Sequence, residues 1–119
     1  MDADTLKKRT KQFGLRVINL VESLPPTKTA NVVGNQLLRC GTSVGANYRS
    51  ACRARSKAEF IAKASISIEE TDESLYWTEI LADTGIIAPE KMVALMQEGN
   101  ELIAILTSSV KTAKRHLRE

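Results

Sequence analysis

The chain has 119 residues, of which 43% are hydrophobic and 26% are charged, and its formal net charge at pH 7 is +3. This length suits one domain, and the composition is that of an ordinary globular protein rather than a disordered or fibrous one. No apolar run approaches the roughly 20 residues that span a bilayer, and the first residues lack the apolar core of a signal peptide. We therefore expect one cytoplasmic domain over residues 1–119, with no membrane partner.

The cysteine and histidine content argues against metal chemistry. Cys40 and Cys52 lie in one predicted helix, too far apart for a disulfide while that helix is intact. His116 is the only histidine and lies near the C-terminus, so the sequence contains no set of metal ligands. We expect reduced cysteines, no metal and no cofactor.

The first half of the chain predicts two amphipathic helices. Apolar residues at helical spacing indicate a helix over about residues 4–24, which Pro25 and Pro26 end. Its predicted core residues are Leu6, Phe13, Val17, Leu20, Val21 and Leu24. A second helix is expected over about residues 29–55. Its inward face is Ala30, Val33, Leu37, Cys40, Val44, Tyr48 and Ala51.

The second half predicts two more helices. Ser56 and Glu59 form a capping-box pattern at the start of a helix over about residues 57–83, and Gly85 lies just beyond its end. Its predicted core stripe is Phe60, Ala64, Ile68, Thr71, Leu75 and Ala82. Pro89 opens a helix over about residues 89–115. The residues expected to be buried there are Met92, Leu95, Met96, Leu102, Ile103, Leu106 and Val110.

Short connections between long helices favour antiparallel neighbours. No segment alternates apolar and polar residues with the period of a strand. The sequence therefore predicts an all-α, up-down-up-down antiparallel four-helix bundle. Within the second helix, Gly34, Gly41, Gly45 and Cys52 share one edge of the inward face, where another helix is expected to approach closely.

Helices one and three carry more apolar surface than one bundle needs. Several apolar residues point away from the predicted core stripes, and such patches mark interaction surfaces. The candidate oligomer interface consists of Leu15, Ile18, Ile66, Glu69, Glu73, Tyr76, Trp77 and Ile80. The alternative is that these are isolated exposed apolar residues, which are common on protein surfaces.

The positive charges gather at one end of the predicted bundle. In an up-down topology the starts of helices one and three meet the ends of helices two and four. Thirteen of the seventeen lysines and arginines lie there, and we call them the basic pole: Lys7, Lys8, Arg9, Lys11, Arg49, Arg53, Arg55, Lys57, Lys63, Lys111, Lys114, Arg115 and Arg118. The acids Asp2, Asp4, Glu59 and Glu119 share this end.

This clustering suggests a polyanionic partner, because it brings like charges together. The candidate nucleic-acid-binding residues are Arg39, Arg49, Arg53, Arg55, Lys57, Lys63, Lys111, Lys114 and Arg115. No aromatic residues are interleaved with them, so contacts to phosphates are expected rather than stacking on bases. The alternatives are a solvated surface, or ion pairs to a neighbouring subunit.

One long segment carries a family likeness. The stretch that begins at Gln36, "QLLRCGTSVGANYRSACRARSKAEFIAKASISIEETDESLYWTEIL", resembles the central signature of the bacterial 23S rRNA intervening-sequence proteins, also called the four-helix bundle protein family. The likeness extends from about Phe13 to Lys114, and "GTSVGANYR" is its specific core. Family members more often have serine where this chain has Cys40.

The resemblance implies a four-helix bundle that assembles as a homopentameric ring. The family is also similar to the accessory proteins of diversity-generating retroelements, which are basic pentameric barrels that bind nucleic acid and a reverse transcriptase. The family has no agreed catalytic residues, so the resemblance implies none for this chain.

The leading functional hypothesis is a non-enzymatic, oligomeric protein that binds RNA or another nucleic acid, or has an accessory role, through the basic pole. The alternative is a protein-interaction scaffold whose charges serve ring assembly or the docking of a partner protein. An enzyme is the least supported class. Glu69 and Glu73 are one turn apart, but no Glu-x-x-His motif accompanies them.

Overall fold

The computed structural model describes residues 1–117. Its elements are α1 (Ala3–Glu22), α2 (Lys28–Cys52), α3 (Lys57–Asp83), a 3₁₀ turn (Pro89–Lys91) and α4 (Val93–Leu117). No strand occurs within the described residues, and the predicted all-α class is confirmed. Arg118 of the basic pole and Glu119 at the same end lie outside the described residues.

The helices pack as an up-down-up-down bundle, as predicted. The helix α2 packs against both α1 and α3, and α4 packs against α3, whereas α1 and α4 touch less extensively. The helices α1 and α3 are therefore diagonal neighbours. The molecule is elongated, with extents of 52 × 21 × 21 Å.

Local sequence signals set most helix ends. The Asp2 carboxylate accepts a hydrogen bond from the Thr5 amide at 2.7 Å and caps α1. The Ser56 hydroxyl accepts one from the Glu59 amide at 3.1 Å and caps α3. The Glu59 carboxylate accepts the Arg55 amide at 3.3 Å, one residue before the position that a capping box predicts.

Two ends differ from the sequence-based expectation. The helix α2 ends at Cys52 rather than near residue 55. Just after its end, the Arg53 amide donates a hydrogen bond to the Ser50 carbonyl at 3.1 Å, which closes the last turn. The helix α4 begins at Val93 rather than at Pro89. The Met92 amide bonds the Pro89 carbonyl at 3.0 Å, which is the tighter spacing of a 3₁₀ turn.

The core follows the predicted faces of α1, α2 and α4. All seven predicted inward residues of α2 are buried. In α1 and α4 the centres of the predicted stripes are buried, and their flanks are half-buried. The buried apolar residues of these two helices are Leu6, Phe13, Val17, Leu95, Leu102, Leu106 and Val110, and Met92 is buried immediately before α4.

The buried face of α3 is more polar than the prediction. Ala64, Thr71 and Leu75 are buried as expected, but Phe60, Ile68 and Ala82 are only half-buried. The residues that the sequence analysis missed are Ser67, Ser74, Thr78 and Leu81. Small side chains suit this position because α3 packs between α2 and α4.

The buried hydroxyls of α3 all have partners, which makes their burial affordable. The Thr71 hydroxyl donates to the Ser67 carbonyl at 2.7 Å, within the helix. The Ser67 hydroxyl donates to the Val44 carbonyl at 2.9 Å and so joins α3 to α2.

Glycines let α1 approach α2 closely, as the sequence predicts. A Cβ at Gly41 would lie 2.6 Å from Cγ1 of Val17. A Cβ at Gly45 would lie 3.2 Å from the backbone of Thr10 and Lys11. A side chain at Gly41 would require Val17 to move, and one at Gly45 would require α1 to shift slightly, so the two helices touch along this line.

Candidate nucleic-acid interface

The four helix ends of the basic pole meet in the structure. One cleft is lined by residues from both ends of the chain and from the α2–α3 connection. They are Met1, Ala3, Tyr48, Ala51, Cys52, Ala54, Arg55, Ser56, Lys57, Phe60 and Ser109. The antiparallel topology thus brings together charges that are far apart in sequence.

The described acids at this end are engaged locally. The Asp2 carboxylate caps α1, and the hydrogen bond from the Thr5 amide lowers the pKa of Asp2. The Asp4 carboxylate lies 3.2 Å from Nζ of Lys7. The Glu59 carboxylate bonds a backbone amide. These acids therefore serve helix starts.

Three arginines surround an open depression at the end of α2. It has a volume of about 490 Å³ and is lined by Arg49, Arg53 and Arg55, together with Ala46, Ser50 and Glu59. All three arginines are exposed. Each guanidinium presents five N–H donors in a planar fork, a geometry that suits the oxygens of phosphate groups.

Most of the candidate cations have no ion pair with a described residue. Of the nine candidates, only Arg39 lies within 4.0 Å of a carboxylate oxygen in the part of the chain that the structure describes. The unpaired ones are Arg49, Arg53, Arg55, Lys57, Lys63, Lys111, Lys114 and Arg115. All of these are exposed except Lys63, which is half-buried.

Arg39 has a different environment from the other candidates. Its Nη2 lies 2.6 Å from Oε2 of Glu73, and its Nη1 lies 3.7 Å from Oε2 of Glu70. The hydrogen bond to Glu73 raises the pKa of Arg39. Arg39 precedes Arg49 by about 15 Å of helix. Its charge is therefore offset locally, and it has the least support as a nucleic-acid contact.

Arg9, which the sequence analysis counted in the basic pole, is also paired. Its guanidinium donates to the Glu98 carboxylate at 3.0 Å and lies 3.5 Å from Glu101. These bonds connect α1 to α4, the pair of adjacent helices with the least contact. The Glu98 contact raises the pKa of Arg9, so this arginine serves the bundle.

The residues of the candidate oligomer interface divide between two surfaces. Leu15 and Ile18 line a groove between α1 and α2. Ile66, Glu69 and Tyr76 lie on α3, the diagonal neighbour of α1. The sequence could not separate the two surfaces because their separation depends on how the helices are arranged.

The apolar part of the α3 surface is smaller than the sequence suggests. Trp77 and Ile80 are half-buried and pack against the main core. The Trp77 indole N–H donates to the Glu73 carboxylate at 3.1 Å. Tyr76 remains exposed over 53% of its surface. Trp77 and Ile80, which were predicted to point away from the core stripe, therefore contribute to the core.

One group of side chains in the described residues has the composition of a metal site. The ligand atoms of Cys40, Glu70 and Glu73 lie within 4.8 Å of one another. Cys40 is buried, which raises the pKa of its thiol, and Oε2 of Glu70 has no hydrogen bond. The guanidinium of Arg39 faces both carboxylates, however, so a cation already balances them. We assign the group to the α2–α3 contact.

None of the described helices combines the length and apolar character needed to cross a membrane. The fold and its charges define a small four-helix bundle protein with one cationic end. The model of the 23S rRNA-intervening sequence protein family matches residues 4–108, and the chain belongs to this family. This confirms the resemblance seen in the sequence.

A solved structure agrees with this assignment. It is the crystal structure of a protein of unknown function from the S23 ribosomal protein family of Bacteroides thetaiotaomicron VPI-5482. The two proteins are 35% identical, and the match covers 93% of this chain and 99% of that one, with a TM-score of 0.87. No curated protein matches the chain.

Proposed function

We propose that this protein is a non-enzymatic, homo-oligomeric RNA-binding or accessory protein that holds structured RNA on its basic pole. The observation that carries the proposal is the set of eight exposed or half-exposed cations at one end, none of them paired with an acid within residues 1–117. Cytoplasmic location remains a prediction.

The clustering has no sufficient explanation in the stability of the bundle. Cations at the ends of α2 and α4 interact favourably with the helix dipoles. Lys57 lies at the start of α3, where the same dipole disfavours a cation by a few tenths of a kcal/mol. Gathering these charges also adds repulsion, which a bound polyanion relieves.

Structured RNA is the favoured polyanion for two reasons. The arginine depression is lined by no aromatic side chain, so bases have nothing to stack on, and phosphates of a helical RNA are the better match. The family name refers to 23S rRNA, and the Bacteroides relative is named for a ribosomal protein family. Both names support RNA over DNA.

Titration of a double-helical RNA hairpin at two salt concentrations tests the proposal. If all eight cations contact phosphates, log affinity falls by about 7 per log unit of salt, and by less with fewer contacts. The variant Arg53→Glu/Arg55→Glu should lose binding. The matched control Lys28→Glu/Lys91→Glu, with the same charge change at the opposite end, should retain it. No binding at low salt, or equal loss in both variants, contradicts the proposal.

Self-association is the second part of the proposal. Leu15 and Tyr76 are large side chains that expose 42% and 53% of their surfaces, which a contact between copies would bury. The family resemblance implies five copies, and this number remains a prediction. Light scattering should give a mass several times 13.1 kDa. A monomer at micromolar concentration contradicts it.

A protein-interaction scaffold is the alternative, and the apolar side chains between α1 and α2 favour it. In that case the charges serve assembly or the docking of a partner protein, and RNA affinity is absent. The hairpin titration separates the two, because a scaffold should bind no RNA at either salt concentration, with or without the charge reversal at Arg53 and Arg55.

A further inference from the structure

The groove between α1 and α2 is the most distinctive surface outside the arginine depression. It has a volume of about 410 Å³. Its uncharged lining, which we call the floor, includes Leu15, Ile18 and Gly45, and its charged lining, which we call the rim, includes Lys8, Lys11 and Arg49. We call this surface the α1–α2 groove. No acid lines it.

The floor of the α1–α2 groove suits an apolar occupant. Leu15 leaves 42% of its surface exposed there. The backbone N–H groups of Gly45 and its neighbours lie within α2 and donate to helix carbonyls. They are therefore not available as donors to a phosphate. A matching partner therefore has an apolar centre and acidic edges.

The outer face of α3 has this composition. Glu69, Asp72 and Glu79 are exposed, and none forms an ion pair within residues 1–117. Tyr76 lies among them with half its surface exposed, and it packs edge-on against Trp77 at 5.0 Å. We call this surface the acidic face.

The two surfaces match in length and in charge. The groove residues from Lys8 to Ile18 and the acidic residues from Glu69 to Glu79 each extend over about 15 Å of helix. The helices α1 and α3 are diagonal neighbours in the bundle. The acidic face of one chain therefore cannot reach the groove of the same chain, but it can contact the groove of another copy.

We propose that the acidic face of one copy docks in the α1–α2 groove of the next copy. The inference rests on the self-association proposed above and names the surfaces that carry it. Because two different surfaces meet, the contact is head-to-tail, and it closes into a ring where the rotation permits. An isologous dimer would instead pair each surface with itself.

This docking divides the cations of the basic pole into two groups. In this docking Lys8 and Lys11 serve the contact between copies, opposite the carboxylates of the neighbour, while Arg49 lines both the groove and the arginine depression. Arg53, Arg55 and the other cations at the helix ends remain free for RNA. The division explains why the groove has an apolar floor and the arginine depression does not.

Charge reversal of each surface tests the inference by analytical ultracentrifugation. The groove variant Lys8→Glu/Lys11→Glu and the face variant Glu69→Lys/Asp72→Lys should each need at least about tenfold more protein to assemble, because like charges then oppose one another. Mixed together, the two variants should recover a mass well above 13.1 kDa. Leu15→Glu, at an exposed position on the floor, should also weaken assembly.

The controls Lys28→Glu and Glu22→Lys reverse exposed charges at the other end of the bundle and should leave the mass unchanged. Circular dichroism melting checks that every variant is folded. Wild-type mass in either double variant, or a mixture that stays dissociated, overturns the inference. A monomeric wild-type protein instead refutes the proposed self-association itself. If the dissociated variants still bind the RNA hairpin, the RNA proposal stands independently of the proposed self-association and of the docking surfaces.

Discussion

The helix α2 packs against its two neighbours in opposite ways. Its contact with α1 depends on the absence of side chains at Gly41 and Gly45, which lets the two helices touch. Its contact with α3 depends on polar groups that have partners, including the Ser67 hydroxyl on the Val44 carbonyl and the Arg39–Glu73 ion pair.

The two contacts are therefore sensitive to different kinds of substitution. The α1–α2 contact fails when an atom is added, because the facing atoms are backbone or a stiff β-branched side chain. The α2–α3 contact weakens when a partner is removed or when salt screens the charges. Substitutions of the first kind should therefore cost more than those of the second.

The largest effect is expected for Gly41→Val. The new Cβ would lie 2.6 Å from Val17, and a second β-branched side chain cannot rotate out of the way. We expect a loss of about 3 kcal/mol of unfolding free energy in urea titrations at fixed protein concentration. Asn35→Val, at an exposed position of the same helix, is the control. Equal losses of unfolding free energy in the two variants would show that the α1–α2 contact can accommodate a side chain at Gly41.

A smaller loss is expected for Gly45→Ala. Alanine favours the helix by about 1 kcal/mol, but the new Cβ meets the α1 backbone at 3.2 Å, so α1 has to move. The net result should be a destabilisation of about 1 kcal/mol. Gly14→Ala is the matched control, since its nearest atoms lie at 3.4 and 3.5 Å. It should be neutral or stabilising. If Gly45→Ala behaves likewise, the close approach is not limiting.

The α2–α3 contact is tested by Arg39→Met, which keeps the length of the side chain and removes its charge. The Arg39 side chain is 54% exposed, so the loss of unfolding free energy should be smaller than that of Gly45→Ala and should shrink in high salt. Fluorescence of Trp77, whose indole bonds Glu73, should change as well. Arg16→Met is the control on α1. A salt-independent loss would point to packing rather than charge.

The smallest effect at neutral pH is expected for Cys40→Ser. The Ser74 hydroxyl donates to Sγ of Cys40 at 3.3 Å, and serine keeps an acceptor for this bond but does not ionise. Burial raises the pKa of Cys40 above 9.0, so the folded chain holds a proton that the unfolded chain releases. Stability should therefore fall as the pH rises past about 9.

The serine variant should decline less steeply in the same alkaline range. Tyr48 contributes to the decline in both proteins, since burial raises its pKa as well. The measurement is the unfolding free energy as a function of pH. Parallel curves for the two proteins would show that the thiol is not responsible.

The sequence predicted the fold and most of the core because these depend on repeating patterns. Every predicted inward residue of α2 is buried. Part of the α3 face escaped prediction because Ser67, Ser74 and Thr78 are polar residue types. Their helical spacing together with Ala64 and Leu81 was the signal that could have identified it.

The same contrast applies to the candidate site. The gathering of cations at one end followed from the sequence, because antiparallel helices of similar length bring alternate helix ends together. Helix caps and proline breaks are likewise decided within a few residues of the chain. The tertiary structure alone decided which charges are neutralised. Arg39 meets Glu73 across 34 residues and Arg9 meets Glu98 across 89, because an ion pair requires a short distance that only helix packing sets.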